Sequence, residues 1–397
     1  MKNVKSFLFV AVVAMAFSLQ AAKISGYWFL TRMVNEGQAR DLSILVNFRE
    51  DGVLVQRGIE VAQWTYQPDQ KQITLKSELD KDFNGIARIQ QVNDQQLVFE
   101  KDGIVYYMDR IHRDKWLKDN QKAVVVGVWQ SKNKDQEVQY LRFDLPDQFA
   151  LVGLFDGGES ESHGTWMYRP EENAVYIFSM THFCDGKNKI LNQSQDAWVF
   201  ENNGQQYKAT RVDVTNFDTL AFDGEGIPEG DPTRLPAEWQ NREDWFQKLD
   251  RINQLTYRKG RLLQAVGVVS YRPLIFKIRT NPDEDYLSYR FLTVSGGDTS
   301  QYREEVLDQF DNNPFFPYEA PPMYRVVGEE TITVPAGTFA CTVVEAYDDF
   351  EEAKRKYWMI TDQPGIYARI IESKQQFEDS REFRIWELEK IRYSTEK

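Results

Sequence analysis

The sequence holds two cysteines, Cys184 and Cys341, and three histidines, His112, His163 and His182. Two cysteines cannot build the dense disulfide framework of a small secreted scaffold. A bridge between them needs Cα atoms within about 7 Å, and they fall in separate domains by the organisation argued below. Each is expected as a small buried apolar residue. No Gly-x-Ser-x-Gly elbow is present, and no serine or cysteine has a histidine at a recognisable spacing, which argues against a nucleophilic hydrolase. Positive charge is the minority sign, 48 Lys and Arg against 61 Asp and Glu, for a net charge of −13. An acidic surface repels phosphate backbones, so nucleic acid is excluded as a partner.

Long apolar runs are also scarce. One stands near the start, Phe7 to Phe17, after the basic Met1-Lys2-Asn3-Val4-Lys5 and before the small residues Ala21 and Ala22. This is the order of a secretory signal peptide over 1–21, cleaved after Ala21. A retained anchor is the alternative, but the run is short for a span of about 20 residues. No cysteine sits near the cleavage region to carry a lipid. The expectation is a chain that is not transmembrane, periplasmic or extracellular, and more acidic by two charges once Lys2 and Lys5 are removed. Aromatic residues make up 14% and hydrophobic residues 42%. The chain can therefore bury real cores, and its length suggests about two to four domains.

Self-comparison supplies the organisation. Gly26-Tyr27-Trp28 matches Gly127-Val128-Trp129, and Trp64-Thr65-Tyr66-Gln67-Pro68 matches Trp166-Met167-Tyr168-Arg169-Pro170. Val98-Phe99-Glu100 matches Val199-Phe200-Glu201; Gly103, Tyr106 and Arg110 match Gly204, Tyr207 and Arg211. One register with a single-residue slip carries all of these pairs. Two tandem copies follow, over 23–112 and 123–212. Each reads as β. Ile44, Val46 and Phe48 alternate with Leu45, Asn47 and Arg49, and Asp51-Gly52 signals a hairpin before Val53. Lys101-Asp102-Gly103 and Asn202-Asn203-Gly204 are matching turns. About eight short strands per copy fit an up-and-down antiparallel barrel.

The Gly-x-Trp on the opening strand, the meander after it and the arginine on the closing strand resemble lipocalin-like domains of bacterial secreted proteins. The resemblance implies a structural role for Gly26, Trp28 and Arg110, and for Gly127, Trp129 and Arg211, in closing one end of each barrel. An eight-stranded barrel is wide enough for a small ligand or for its own side chains alone. Trp28, Trp64, Trp129 and Trp166 recur between the copies, which points to core packing before a ligand box.

Residues 213–246 are expected to be a linker, with the Gly/Pro/acid stretch Asp223 to Pro232 followed by a short helix from Pro236 carrying Trp239, Phe246 and Leu249 on one stripe. The acids Asp223, Glu225, Glu229 and Asp231 depart from the calcium-loop spacing. From 247 to 397 the chain reads as a third antiparallel β domain. Thr331-Ile332-Thr333-Val334-Pro335-Ala336-Gly337-Thr338-Phe339 is a hairpin with its turn at Pro335 and Gly337. Its second strand places Phe339, Cys341 and Val343 on one face. This hairpin resembles uncharacterised bacterial envelope domains, some with a curved sheet like that of periplasmic lipoprotein carriers. The four-residue spacing of Tyr302, Val306 and Phe310 predicts a short helix from Ser300 to Asp311. The fold class is thus all-β and mainly antiparallel, with one or two short helices.

The candidate binding residues are Phe315, Phe316 and Tyr318, in a proline-stiffened aromatic segment outside every repeat; a plug on its own sheet is the plainer account. His182, Cys184 and Asp185, with His163, could be read as metal ligands. A structural zinc site takes four ligands, and the first copy has no equivalents, so neither metal nor other cofactor is expected. No catalytic residue is assigned. The expected function is a non-enzymatic binding or carrier protein of the cell envelope, for a hydrophobic small molecule or lipid. An envelope scaffold that contacts other envelope proteins, or a hydrolase without a recognisable motif, are the alternatives.

Overall fold

The computed structural model describes residues 24–155, 158–179, 183–215, 251–281, 286–295, 298–306, 323–348, 353–377 and 380–394. They are almost entirely antiparallel β and divide into two compact units, Met1–Asp213 and Val214–Lys397.

The first unit holds two closed barrels. Strands β1 (Gly26–Asn35), β2 (Gln38–Phe48), β3 (Val53–Gln56), β4 (Ile59–Gln67), β5 (Gln72–Lys76), β6 (Gly85–Val92), β7 (Gln96–Lys101) and β8 (Ile104–Ile111) pair in sequence order, and β8 returns to β1. The second barrel repeats this with β9 (Gly127–Lys132), β10 (Val138–Asp144), β11 (Gln148–Phe155), β12 (Gly158–Arg169), β13 (Ala174–Ser179), β14 (Gly186–Gln193), β15 (Ala197–Asn202) and β16 (Gln205–Arg211). The duplication extends to irregular details. A 3-10 turn follows β4 at Pro68–Gln70 and β12 at Pro170–Glu172, each ended by a left-handed residue, Lys71 and Asn173. β6 and β14 carry a bulge at the same place, between Ile89 and Gln91 and between Ile190 and Asn192.

Both barrel interiors are occupied by side chains. In the first, Trp28, Phe48, Trp64 and Phe99 pack with aliphatic residues and Ala62 and Ala87. In the second, Trp129, Phe143, Trp166 and Trp198 meet edge to face, with Phe200 stacked on Trp198 at 4.4 Å between centroids. Such aromatic contacts add to the burial term.

Strict alternation breaks where the two barrels meet. Phe29 and Leu45 point out of the first barrel, yet are buried against Met167, Ala174, Tyr176 and Phe178 of the second. Phe29 sits edge-on to Tyr176 at 5.0 Å and to Phe178 at 5.9 Å. Helix α1 (Arg113–Asn120) fills the junction. Its Trp116 donates to the Trp166 carbonyl at 2.8 Å. Asn120 donates to the carbonyls of Pro146 (2.9 Å) and Trp166 (3.1 Å) and accepts from the Tyr168 N–H (2.8 Å). Arg113–Asp147 at 2.6 Å and Arg57–Asp185 at 3.0 Å tie the rims.

The second unit is one nine-stranded sheet formed by β17 (Ile252–Leu263), β18 (Val268–Asn281), β19 (Tyr286–Ser295), β20 (Asp298–Val306), β21 (Met323–Val334), β22 (Gly337–Asp348), β23 (Ala353–Ile360), β24 (Tyr367–Phe377) and β25 (Ser380–Tyr393). The order is β20-β19-β18-β17-β25-β24-β23-β22-β21. β21 approaches β24 and β25 within 8 Å, although strands about 4.8 Å apart in a flat sheet would put β24 roughly 14 Å away. The sheet therefore curls. Its hairpin tip closes the curl: Val334 pairs with Gly337 across Pro335-Ala336, and the Ala336 N–H donates to the Leu388 carbonyl at 3.0 Å. Gly337 has φ 143°, a conformation that favours glycine. Cys341 and Val343 are fully buried, with Phe339 half-buried beside them.

The helix predicted from Ser300 is corrected by the structure. Residues 300–306 belong to β20, where Tyr302 lies opposite Leu292 and Val306 opposite Ser288. A four-residue spacing returns to the same face of a strand as well as of a helix, so it did not discriminate between them. The remainder of that segment, the helix predicted from Pro236 and the acidic linker lie outside the described residues. Both cysteines are buried, and they form no disulfide with each other. No helix among the described residues is long and apolar enough to cross a membrane.

Candidate functional site

Each barrel end is built the same way. The Arg110 guanidinium lies 4.0 Å from the Trp28 ring centroid, and Arg211 lies 4.3 Å from that of Trp129. Arg110 donates to the Ser25 carbonyl at 3.0 Å, and Arg211 to the Val126 carbonyl at 3.1 Å. The indole N–H groups donate to Ile24 (2.7 Å) and Val125 (2.6 Å). Gly26 and Gly127 have φ of 114° and 121°, and a Cβ on either would press on the arginine above it. These contacts pack the arginine and tryptophan of each barrel end against each other.

Phe315, Phe316 and Tyr318 lie outside the described residues, as does His182. His163 is exposed on β12 and bonds Glu161 at 2.6 Å. Among the described residues no cluster of three metal-ligating side chains occurs.

The charged groups that the sequence reading passed over are in the curled sheet. On one face Glu387 is saturated. Arg258 donates to its Oε2 through Nε (2.8 Å) and Nη2 (2.5 Å), and Arg369 to its Oε1 through Nε (3.1 Å) and Nη2 (2.7 Å). The Tyr271 hydroxyl adds a bond at 3.2 Å. Desolvation and the Glu387 charge push the Tyr271 phenol up to about 12. Nearby, Arg325 is paired with fully buried Glu345, and Trp358 donates to Glu330 at 2.8 Å. Paired charges of this kind hold strands in register.

The opposite face is different. Directly opposed residues of antiparallel strands share a face. Register places Arg355 opposite Glu372, Glu372 opposite Arg384, and Arg384 opposite Arg261. Glu372 bonds Arg355 (2.7 Å) and Arg384 (3.3 Å), while Glu382 bonds Arg384 (2.7 Å) and Arg261 (3.1 Å). Two residues before Arg261 on β17, Lys259 lies opposite Trp386, with its ammonium 5.6 Å from the indole centroid. Lys259 makes no ion pair with any described residue, and it is exposed. Its pKa is nonetheless lowered, first by desolvation and then by Arg384, against the pull of Glu372 and Glu382. The sequence hid this row because its members stand on strands that become neighbours only in the fold.

No protein-family model matches the chain, and no curated protein matches it. Among solved structures it is similar to a DNA polymerase sliding clamp from Pseudomonas aeruginosa with ligand, 8% identical over 92% of each chain at TM-score 0.16. A Helicobacter pylori beta clamp bound to DNA ligase peptide gives 9% identity over 93% of each chain at TM-score 0.14. Scores of this size carry no argument about fold or function.

Proposed function

We propose that the chain is an exported, non-catalytic binding protein of a bacterial cell envelope, in which the tandem barrels are a support and the curled sheet makes the ligand contact. One observation carries this reading: both barrels are packed with their own side chains, while the curled sheet sets an exposed lysine, Lys259, beside the Trp386 indole. The paired Trp and Arg at each barrel end support a lipocalin-like ancestry of the closed type, with the interior given over to packing. The basic start, apolar run and small residues of the first 22 positions support export.

The test is capture. Full-length protein is incubated with a total envelope lipid extract, re-isolated and analysed by mass spectrometry. A stoichiometric ligand, lost on substitution in the curled sheet and kept on substitution in the barrels, is expected. Protein that returns empty from every extract overturns the reading. A scaffold role has one specific observation in its favour, the apolar seam that fixes the two barrels to each other. Retention of a stoichiometric envelope protein by the barrel pair, with no small ligand, would favour it.

A further inference from the structure

We propose that the second barrel binds a neutral sugar at a row formed by Ser131, Gln139, Gly153 and Ser160, with the Gln139 amide as the central contact. This goes beyond the curled-sheet reading and is independent of it.

The duplication supplies an internal control. Register equates Leu30 opposite Ile44 in the first barrel with Ser131 opposite Gln139 in the second. Ala87, opposite Ile73, likewise becomes Asn188, opposite Val175. Leu30, Ile44 and Ala87 belong to the apolar packing of the first barrel, so the second has exchanged apolar interior positions for hydrogen-bonding ones. Asn188 anchors its Nδ2 on the carbonyls of Cys184 (2.7 Å) and Gly186 (3.0 Å), which leaves its Oδ1 buried without a partner. The Ser131–Gln139 pair continues across the next two strands, since Gln139 stands opposite Gly153 and Gly153 opposite Ser160. Directly opposed residues share a face. The four therefore form one row, two residues beyond the packed Trp129.

Gln139 is 5% exposed, and its amide makes no hydrogen bond to any described residue. A Cβ on Gly153 would stand 2.7 Å from Gln139 Oε1, 3.2 Å from Gln139 Nε2 and 3.0 Å from Ser160 Oγ. Gly153 does not have a positive φ, so its backbone does not call for glycine; the missing side chain makes room for the amide. Ser160 is exposed, and the row thus runs from the interior to solvent. A buried amide left unpaired costs free energy. It carries both donors and an acceptor, and each serine hydroxyl also does both. No charged side chain stands in the row. Neighbouring hydroxyls of a sugar ring, each able to donate and accept, match this set. An anion would meet no counter-charge there, and an apolar ligand would leave the amide unpaired. Half-buried Tyr207, edge-on to Phe183 at 5.0 Å, packs in the same interior and offers an aromatic body to the C–H groups of the ring.

The experiment uses the full-length chain with glucose, galactose, mannose and N-acetylglucosamine as probes, each followed by saturation-transfer NMR and titration calorimetry. Saturable binding of at least one is expected. It should weaken about tenfold or more in Gln139→Ile, which restores the first barrel's residue, and in Gly153→Ala, whose Cβ displaces the amide. It should be unchanged in Gln130→Ala, on the outer side of β9. Melting temperature separates a binding role from a structural one. An apolar group in place of a partnerless amide leaves the fold as stable or more so, so Gln139→Ile should melt no lower than the parent. No saturation by any of the four sugars, binding that survives Gln139→Ile, or a lower melting temperature in that variant overturns the inference. A crystal structure of sugar-soaked protein with water alone on the amide does the same. None of these outcomes bears on capture from the lipid extract, which reads the curled sheet.

Discussion

At the scale of single residues, the matched Trp and Arg of the two barrels act as a pair of clamps. Removing Arg110 forfeits a cation–π contact and a bond to the Ser25 carbonyl. Arg110→Met is expected to cost about 1–3 kcal/mol by denaturant titration, and Arg211→Met a similar amount. A change that is silent at both places would show that the barrel ends are closed by other contacts. The curled sheet gives a pH signature. Burial and Glu330 push the Cys341 thiol up to about 12 from 9.0, and Tyr271 is raised to about 12 from 10.0. A raised folded pKa contributes stability that is complete below the unfolded pKa. It is lost as pH rises through the folded value. The unit should therefore weaken between about pH 9 and pH 12, with Tyr271→Phe narrowing that loss. The same burial predicts that Cys341 resists alkylation at pH 8 in the native protein and reacts after denaturation. Rapid native labelling would contradict the buried position.

At the scale of elements, helix α1 is the part whose loss should be felt furthest. Asn120 satisfies the carbonyls of Pro146 and Trp166 and the N–H of Tyr168, the last two in strand β12. Asn120→Ala is expected to cost about 2–3 kcal/mol through the buried groups it leaves unpaired. Gly337→Ala in the β21–β22 turn should cost about 1–3 kcal/mol from its φ of 143°, since a Cβ there meets only the Phe339 ring at 3.6 Å. Thermal melts of both variants check these values. The sequence made the strands, the hairpin turns and the duplication legible, because period-two alternation and Asp-Gly or Asn-Gly turns are local signals. Helix α1 escaped notice: Arg-Asp-Lys-Trp-Leu-Lys-Asp-Asn offers only Trp116 and Leu117 as apolar residues, too few to set a period. The charged row beside Lys259 escaped because its meaning depends on which strands become neighbours. β17 and β25 pair although they stand at opposite ends of the unit's sequence.

At the scale of the whole molecule, the two barrels form one compact unit joined by an apolar seam, and are expected to unfold together. The clue was in the sequence as apolar runs without alternation, Trp28-Phe29-Leu30 and Ala174-Val175-Tyr176-Ile177-Phe178. Strands that bury both faces read this way. Phe29→Ala should cost about 3–5 kcal/mol and split one calorimetric transition of the barrel pair into two. A single undivided transition in that variant would mean the seam does not couple them. Barrel closure also settles where this protein is exposed to misassembly. A closed barrel offers no strand edge to a passing chain. Among the described residues the edges belong to the curled sheet, at β20 and β21. β21 is broken by a bulge at Gly328 and carries Arg325, Glu329 and Glu330 along its length, the features that discourage strand-by-strand growth. Fibril formation, if destabilising conditions induce it, should start from the C-terminal unit, with the barrels carried along intact.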